Sequence, residues 1–321
     1  MRCIEALVGA RNALPRLRVK VVDGGSADDS AVKLSGYLEQ AGRDWISFLP
    51  LATNGGFGWA NNQAILALSR EANPPEFIHL LNPDAEVTDG AVVALLDELQ
   101  EFPDCGAAGS QLLAPNGRKA ASAFRFPSPG RELIGAAHSE KLGRIFGIGS
   151  TVVSSDRSSE VDWVTGASVM FRTEALRQAG LFDDGFFLYF EEVELMHRLH
   201  EHGWKVRHVP ESRVFHIEGA STGIGAAGAQ RPHPPYWYHS RRRYFGLTGG
   251  RSAVVAANLC LFAGTGLTAL KDLLGRSPPR KACRTKDVFK CGFIARAADL
   301  MPSAPAWGDP PGRPPAWMGR K

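Results

Sequence analysis

Several clusters in this 321-residue chain have the residue types and spacing of a reaction centre. Asn82-Pro83-Asp84 follows an apolar run at 76–81. An aspartate there is an anionic ligand for a hard divalent cation, and Asn82 adds a neutral oxygen. The plain alternative is a turn, since Asn-Pro favours turn initiation. Glu191-Glu192 opens a helical stretch behind Phe186-Phe187. One of two adjacent carboxylates can act as a general base, although acidic side chains are also simply favourable at a helix start. Asn54-Gly-Gly-Phe-Gly-Trp-Ala-Asn-Asn62 sets three glycines and three amides ahead of a helix, where free backbone N–H groups attract anions. The plain alternative for Asn54 is an ordinary cap. Asp23 ends a valine-rich run and precedes Gly24-Gly25, which suits a ligand contact or a turn. His216 follows a Val-Phe run and as neutral imidazole can ligate a metal. A lone histidine is more often structural, and Trp163 reads equally as core packing.

The elements that must position these groups alternate. Strands are expected at 18–23, 45–49, 76–81, 161–172 and 204–209, and helices at 2–14, 28–40, up to 68, 89–102 and 186–202. This order predicts an α/β fold with a mostly parallel, Rossmann-like sheet flanked by helices. In such sheets ligands sit beyond the carboxyl ends of strands, which is where Asp23 and Asn82 to Asp84 fall. Residues 115–156 are rich in Gly, Ser, Ala and Arg and read as irregular. Glu194 and Arg198 are spaced to pair along the surface of their helix. Residues 236–275 read as mostly helical. Within them, 253–270 is largely apolar but holds Asn258, Thr265, Thr268 and two glycines. That mixture predicts an amphipathic, in-plane helix rather than a membrane span. The last 20 residues carry six prolines and are expected to be disordered. The expected organisation is a catalytic domain over 1–240, a helical, membrane-associated extension over 241–300 and a proline-rich tail over 301–321.

Composition narrows the function. Apolar residues make up 44% and charged residues 22%, with mean hydropathy −0.15. These values exclude a disordered chain and a multi-span membrane protein. Five scattered cysteines, none in a C-x-x-C pair, argue against a disulfide framework and a cysteine zinc site. With no signal-peptide pattern at the N-terminus, a reducing cytoplasm is expected. The net charge of +4 is uneven: residues 240–321 hold 15 basic and 4 acidic residues, and the remainder 22 and 29. An acidic globular part joined to a basic segment points to a polyanionic neighbour. Arg241-Arg242-Arg243 gives a nucleic-acid reading a foothold, but no aromatic-interleaved basic motif supports it. An anionic membrane surface, where each basic residue contributes on the order of 1 kcal/mol, is the stronger candidate.

Four segments, in order, resemble family 2 glycosyltransferases of the rhamnosyltransferase-like kind. They are Val21-Val-Asp-Gly-Gly-Ser-Ala-Asp-Asp-Ser30, the Asn54 to Asn62 loop, Leu80-Leu-Asn-Pro-Asp84, and the stretch from Trp163 to Thr222. The last includes Leu-Phe-Asp-Asp, Glu191-Glu192 and a closing His-x-x-Gly-x-Ser-Thr. The resemblance implies a GT-A fold, a nucleotide-sugar donor such as dTDP-rhamnose, and Mg²⁺ or Mn²⁺. It implies an inverting bacterial enzyme of cell-wall or polysaccharide biosynthesis. The acceptor would be a lipid-linked or polymeric glycan, met at the inner face of the plasma membrane. Carried over by position, Glu192 is the base and Glu191 its reserve. Asp23, Gly25, Ser26, Asn54, Gly58, Asn61, Asn62 and Asn82 would contact the donor, and Asp84 and His216 the metal. Trp163, Gly166, Ala167, Asp183 and Asp184 would face the acceptor.

Two departures stand out. The relatives generally carry Glu-Asp where this chain has Glu191-Glu192, so Glu192 reaches one methylene further. They also begin with an apolar strand, whereas this chain starts inside the following helix. Either that strand is encoded ahead of Met1 or the chain is a truncated transferase. Its lack is expected to leave two strand edges unpaired. The other readings are a nucleotidyltransferase, for which no glycine-rich loop with a basic residue is visible, and a non-catalytic nucleotide-sugar-binding protein.

Overall fold

The computed structural model describes residues 1–216, 233–275 and 285–319. The chain opens with α1 (Arg2–Ala13) and continues through β1 (Val19–Asp23), α2 (Ser30–Ala41), β2 (Ile46–Pro50), α3 (Phe57–Ser69) and β3 (Phe77–Leu81). A short β4 (Ala85–Val87) leads into α4 (Ala91–Glu101) and β5 (Cys105–Leu113). Then come β6 (Ala123–Phe124), α5 (Pro129–Ala137), α6 (Glu140–Ile145), β7 (Val152–Val153), β8 (Ser159–Val161), β9 (Trp163–Val164) and β10 (Ser168–Arg172). The later elements are α7 (Thr173–Ala179), α8 (Glu191–Glu201), β11 (Lys205–His216), α9 (Pro235–Leu273) and α10 (Thr285–Cys291).

The main sheet has the order β3-β10-β5-β11-β4, with β8 also on β11. The α/β class with flanking helices is as expected, but the sheet is mixed. β5 and β11, each entered through a helix, are parallel. β10 runs antiparallel to both β3 and β5. It is entered from the β9 turn, and a short connection reverses a strand where a helical crossover would not. The strand expected over 161–172 is in fact three pieces. Asp162 accepts a hydrogen bond from the Phe126 N–H at 2.7 Å, and β9 pairs with β6 in a separate small sheet. β1 and β2 form a parallel pair that does not join the main sheet. Among the described residues, one edge of β1 and one edge of β3 therefore carry no strand.

β5 has no β-branched or aromatic residue, and its glycines show why. A Cβ on Gly109 would lie 2.5 Å from the Val164 side chain, and one on Gly106 would lie 2.9 Å from Trp204. Packing on this central strand is too close for anything larger. Side chains alternate across β10, so the sheet has two cores. Phe171 joins Ile65, Leu176, Phe182 and Leu195 under α3, α7 and α8. Met170 joins Leu7, Leu95, Leu99 and Val214 under α1 and α4. The stretch at 115–156 is more regular than its composition suggests: Ser128 caps α5 by accepting from the Arg131 N–H, with Pro129 in the first turn.

The basic extension is part of the fold. Arg241, Arg242 and Arg243, which gave the nucleic-acid reading its foothold, are all buried and paired. Arg241 meets Glu132 at 3.1 Å, Arg242 meets Asp299 at 2.8 Å and Arg243 meets Asp183 at 2.7 Å. They leave no basic triplet exposed for nucleic acid. The expected boundary at 240/241 falls inside α9. The proline-rich segment, expected to be disordered, lies against the sheet domain as far as residue 319. The Leu181 N–H donates to the Pro305 carbonyl at 3.0 Å, and Trp59 Nε1 donates to the Arg313 carbonyl at 2.8 Å. Extended proline-rich backbone leaves its carbonyls free for such bonds and loses little entropy when docked.

Removing one member of a buried ion pair leaves an uncompensated charge. Arg243→Met should therefore cost about 3–5 kcal/mol of folding stability, read from urea unfolding curves. A loss below about 1 kcal/mol would mean the pair does not anchor the extension.

Candidate active site

β3 ends at Leu81, and the next residues turn sharply before β4. The Ala85 N–H donates to the Asn82 carbonyl at 3.0 Å. β4 pairs with the end of β11, aligning Ala85 with His216. That register brings Asp84 Oδ1 to 3.2 Å from His216 Nε2 and the Asn82 amide to 3.4 Å from the same nitrogen. Asp84 Oδ1 has no hydrogen-bond partner, and neither has His216 Nδ1. Two ligands about 2.1 Å from one ion and at right angles lie about 3.0 Å apart, so the pair fits adjacent positions on one divalent cation. Among the described residues, no group of three or more His, Cys, Asp or Glu gathers. Gly219, Ser221 and Thr222, which follow His216 in the sequence motif, lie outside the described residues.

The carboxylate pair opens α8 after an unusual turn. Tyr189 and Phe190 both have φ of 69°, a left-handed conformation that costs a bulky residue on the order of 1–3 kcal/mol. The surroundings over-determine it. The Phe57 N–H donates to the Phe187 carbonyl at 3.2 Å, and Ser240 Oγ donates to the Leu188 carbonyl at 2.8 Å. Phe190 packs on Trp237 and Tyr244. The turn delivers Glu191 inward, beside Gly58. Glu192 lines a cavity of about 790 Å³ that it shares with Trp163, Phe190 and Arg131. Each carboxylate leaves its Oε2 without a partner. Burial raises both pKa values above the ordinary carboxylate range, and the charge of Glu192 pushes Glu191 further. Trp163 stacks on Phe124 at 4.2 Å and donates Nε1 to the Arg125 carbonyl at 3.2 Å.

A chain of contacts joins the two centres. A Cβ on Gly166 would touch the Phe57 ring at 3.2 Å and Glu192 Cβ at 3.8 Å. The next carbonyl, that of Ala167, accepts from the Asn82 N–H at 2.9 Å. The 54–62 loop packs against the same region. Gly56 has φ of 90°, and a Cβ there would lie 1.8 Å from the Phe187 carbonyl oxygen. On the other side, a Cβ on Gly25 would lie 2.7 Å from Thr53. The strand-end turn carrying Asp23 is thus pressed against the start of the glycine loop.

The description "Glycosyl transferase family 2" matches residues 1–137, and "Glycosyl transferase family group 2" matches residues 144–263. The chain belongs to glycosyltransferase family 2. It is 31% identical over 200 residues to an N-acetylglucosaminyl-diphospho-decaprenol L-rhamnosyltransferase of Mycobacterium tuberculosis, covering 59% of this chain and 64% of that protein. The chain thus spans just under two thirds of the length of that curated relative. It is also 28% identical over 182 residues to the O-antigen biosynthesis protein RfbC of Myxococcus xanthus, covering 54% of this chain and 13% of that one. Among solved structures it resembles the mannosyltransferase PcManGT from Pyrobaculum calidifontis, solved with GDP-Man and Mn²⁺. The TM-score is 0.51 at 14% identity, over 86% of this chain and 72% of that one. That likeness shows the GT-A fold.

In this family 2 chain, several residues expected on ligands have other work. Asn62 is completely buried. It donates to the Phe182 carbonyl and Asp184 Oδ1, both at 2.8 Å, and accepts from the Phe182 N–H at 3.1 Å. It ties α3 to the loop before α8 and cannot touch a donor. Asn61 donates to the Phe57 carbonyl within its own helix at 2.9 Å. Asp23 turns its carboxylate onto Gly25, Ser26 N–H and Ser26 Oγ, the last at 2.6 Å, and shapes the turn. Asp183 and Asp184, expected to face the acceptor, do not line the cavity. Asp183 is enclosed by Arg243, and Asp184 lies under the C-terminal segment. Burial pushes the Asp184 pKa up to about 7; the Asn62 amide opposes that rise and the Asp183 charge adds to it. Gly166 backs Glu192, and the Ala167 carbonyl holds the Asn82 N–H. Glu194 and Arg198 do pair, at 2.7 Å, but as a buried bridge rather than on the surface. Arg131 and Trp237 line the cavity without having been singled out; only the N-cap signal Ser128-Pro129 hinted at the helix that carries Arg131.

Gly56→Ala should destabilise the fold by more than about 1 kcal/mol, because φ is positive and the new methyl meets a carbonyl oxygen. Gly24→Ala, where nothing lies within 4 Å of the added Cβ, should change the melting temperature little. Differential scanning fluorimetry of the two variants checks the contrast.

Proposed function

We propose that this chain is an inverting, divalent-metal-dependent sugar transferase, moving a deoxyhexose such as rhamnose from a nucleotide diphosphate to a glycan acceptor. The observation that carries this reading is the unpartnered Glu192 Oε2 in a large cavity. It is connected through Gly166, Ala167 and Asn82 to the Asp84–His216 pair. Glu192 accepts the proton of the acceptor hydroxyl. The hydroxyl oxygen forms its bond to the anomeric carbon from the face opposite the leaving diphosphate, and the broken C–O bond leaves its electron pair on the diphosphate. A divalent ion at Asp84 and His216 would neutralise charge on that leaving group. The raised Glu192 pKa suits a base working near neutral pH, because it matches proton affinity to the medium. The 54–62 loop and the Asp23 turn lie together at the strand ends where a GT-A sheet receives a nucleotide.

The mycobacterial relative is named for an acceptor sugar carried on diphospho-decaprenol, and a lipid-linked acceptor fits this chain. The segment from Arg251 to Arg296 carries nine basic and two acidic residues. That surplus favours the anionic inner face of the plasma membrane.

Glu192→Gln should lower the transfer rate by about 10²–10⁴-fold with donor affinity nearly unchanged, measured by turnover and by calorimetry with the nucleotide sugar. The sign for pH follows from the base. It must be deprotonated, so the acid limb of kcat/KM should lie above the ordinary glutamate range, because burial raises the Glu192 pKa, and should vanish in Glu192→Gln. Asp84→Ala and His216→Ala should each weaken Mn²⁺ binding by electron paramagnetic resonance. Wild-type turnover in Glu192→Gln would refute the base assignment.

A further inference from the structure

The second half of α9 has an unusual pair of faces. Gly250 breaks the helix with φ of 68°, and no charged residue occurs from Ala253 to Leu270. One face packs on α5. Thr268 Oγ1 donates to the Ala136 carbonyl at 2.7 Å, and Lys271 Nζ donates to the Ala137 carbonyl at 2.8 Å. Gly264 allows this approach, since a Cβ there would lie 2.5 Å from the Leu133 carbonyl oxygen. The opposite face should be polar in a water-soluble helix. Instead it presents Leu259, Leu267, Leu270 and Leu273, which are 56%, 38%, 53% and 83% exposed. By length and composition the helix could cross a membrane, but one of its faces is committed to α5.

The cavity that contains Glu192 does not stop at a sugar-sized space. At about 790 Å³ it continues between α5 and α9, past Leu261, Thr265 and Ala269, to Asp272 and Lys286. Arg131 stands at the start of α5. It donates one bond to the Phe126 carbonyl at 3.0 Å and keeps a buried Nε–H without a partner. A guanidinium donor with a free position, set in an apolar-walled groove, suits a phosphate oxygen. Beyond it the groove is lined by Leu261, Thr265, Thr268 and Ala269, and Ala269 precedes the exposed Leu270.

We propose that the groove between α5 and α9 is the carrier half of the acceptor site, holding an acceptor phosphate at Arg131 and the adjoining hydrocarbon along Leu261, Thr265 and Ala269. It rests on the transferase reading above and adds where the non-sugar part of the acceptor lies. The sugar hydroxyl is at Glu192 and the chain leaves toward the apolar face of α9, so a lipid-borne acceptor can react without leaving the bilayer.

Groove-filling variants test it. Thr265 hydrogen-bonds only to carbonyls of its own helix, and Ala269 is exposed at the cavity rim. Thr265→Trp and Ala269→Trp are assayed with N-acetylglucosaminyl diphospho-polyprenol in mixed micelles and with a benzyl glycoside of the same sugar lacking phosphate and lipid. Melting temperature and donor hydrolysis without acceptor serve as controls. At least one folded variant should raise KM for the lipid acceptor tenfold or more, with kcat and benzyl-glycoside turnover within twofold of wild type. Arg131→Gln should raise KM for the lipid acceptor and for a short-chain alkyl diphosphate sugar, but not for the benzyl glycoside. Unchanged KM for the lipid acceptor in both Trp variants overturns the proposal. So does an equal loss on both acceptors, which would make the groove a sugar site. If the wild-type chain transfers to neither acceptor, the transferase reading itself fails.

Discussion

One buried ion pair holds the active site and the C-terminal extension in a common frame. Asp183 is wholly buried and Arg243 nearly so. Arg243 donates to both Asp183 oxygens at 2.7 and 2.9 Å, to the Ala298 carbonyl at 2.5 Å and to the Met301 carbonyl at 2.9 Å. Asp183 also accepts from the Gly185 and Ser303 N–H groups, both at 2.7 Å. A pair this enclosed gains little net stability over apolar packing, because desolvation offsets the attraction. What it confers is geometry. With nearly every donor and acceptor engaged, the loop leaving Asp183 has one direction, and eight residues later that loop becomes the carboxylate pair.

The strained turn depends on the same frame. Two consecutive aromatic residues at positive φ persist only where their neighbours leave no alternative. Here those neighbours come from three places. The glycine loop supplies the Phe57 N–H, the first half of α9 supplies Ser240, Trp237 and Tyr244, and the C-terminal segment sets Trp317 against Phe187 at 5.0 Å. The turn places Glu191 toward α3 and Glu192 toward the cavity. The helix carrying the exposed leucines therefore continues, through the Gly250 break, into the helix that buttresses the turn before Glu191 and Glu192. An exposed apolar face and the packing behind the carboxylate turn thus belong to the two halves of one helix.

Much of this was legible in residue types, and the limits are physical. Asp84, His216 and Glu192 stand at strand and helix ends, where local signals are strong; the β4–β11 register sets Asp84 beside His216, while Glu192 lines the cavity, which neither of those two borders. Asp183, Asp184 and Asn62 were misplaced because a motif records that a polar group is needed, not whether it faces ligand or neighbour. Their partners, Arg243 and the Phe182 backbone, lie 60 and 120 residues away. β5 was invisible because its small residues have low strand propensity and were selected by close packing on both sides. Arg241, Arg242 and Arg243 looked like a polyanion site because a run of like charges reads as solvent-exposed unless the acidic partners, scattered at Glu132, Asp183 and Asp299, are known to converge on it.

The proline-rich segment carries the same lesson into the mechanism. Composition argued for disorder because the segment cannot make its own core. It needs none, because it borrows the surface of α3: Gly312 N–H donates to Gln63 Oε1 at 2.6 Å, Trp59 Nε1 to the Arg313 carbonyl, and Trp317 Nε1 to the Gly55 carbonyl at 2.9 Å. Each contact falls on the glycine loop or on the helix it opens. A loop with two adjacent glycines, Gly55 and Gly56, would otherwise sample many backbone states. Held from beneath by Phe187 and from the side by Trp317, it keeps its N–H groups at the strand ends. The stiffness of the prolines is thereby transmitted to the part of the chain with the greatest intrinsic freedom.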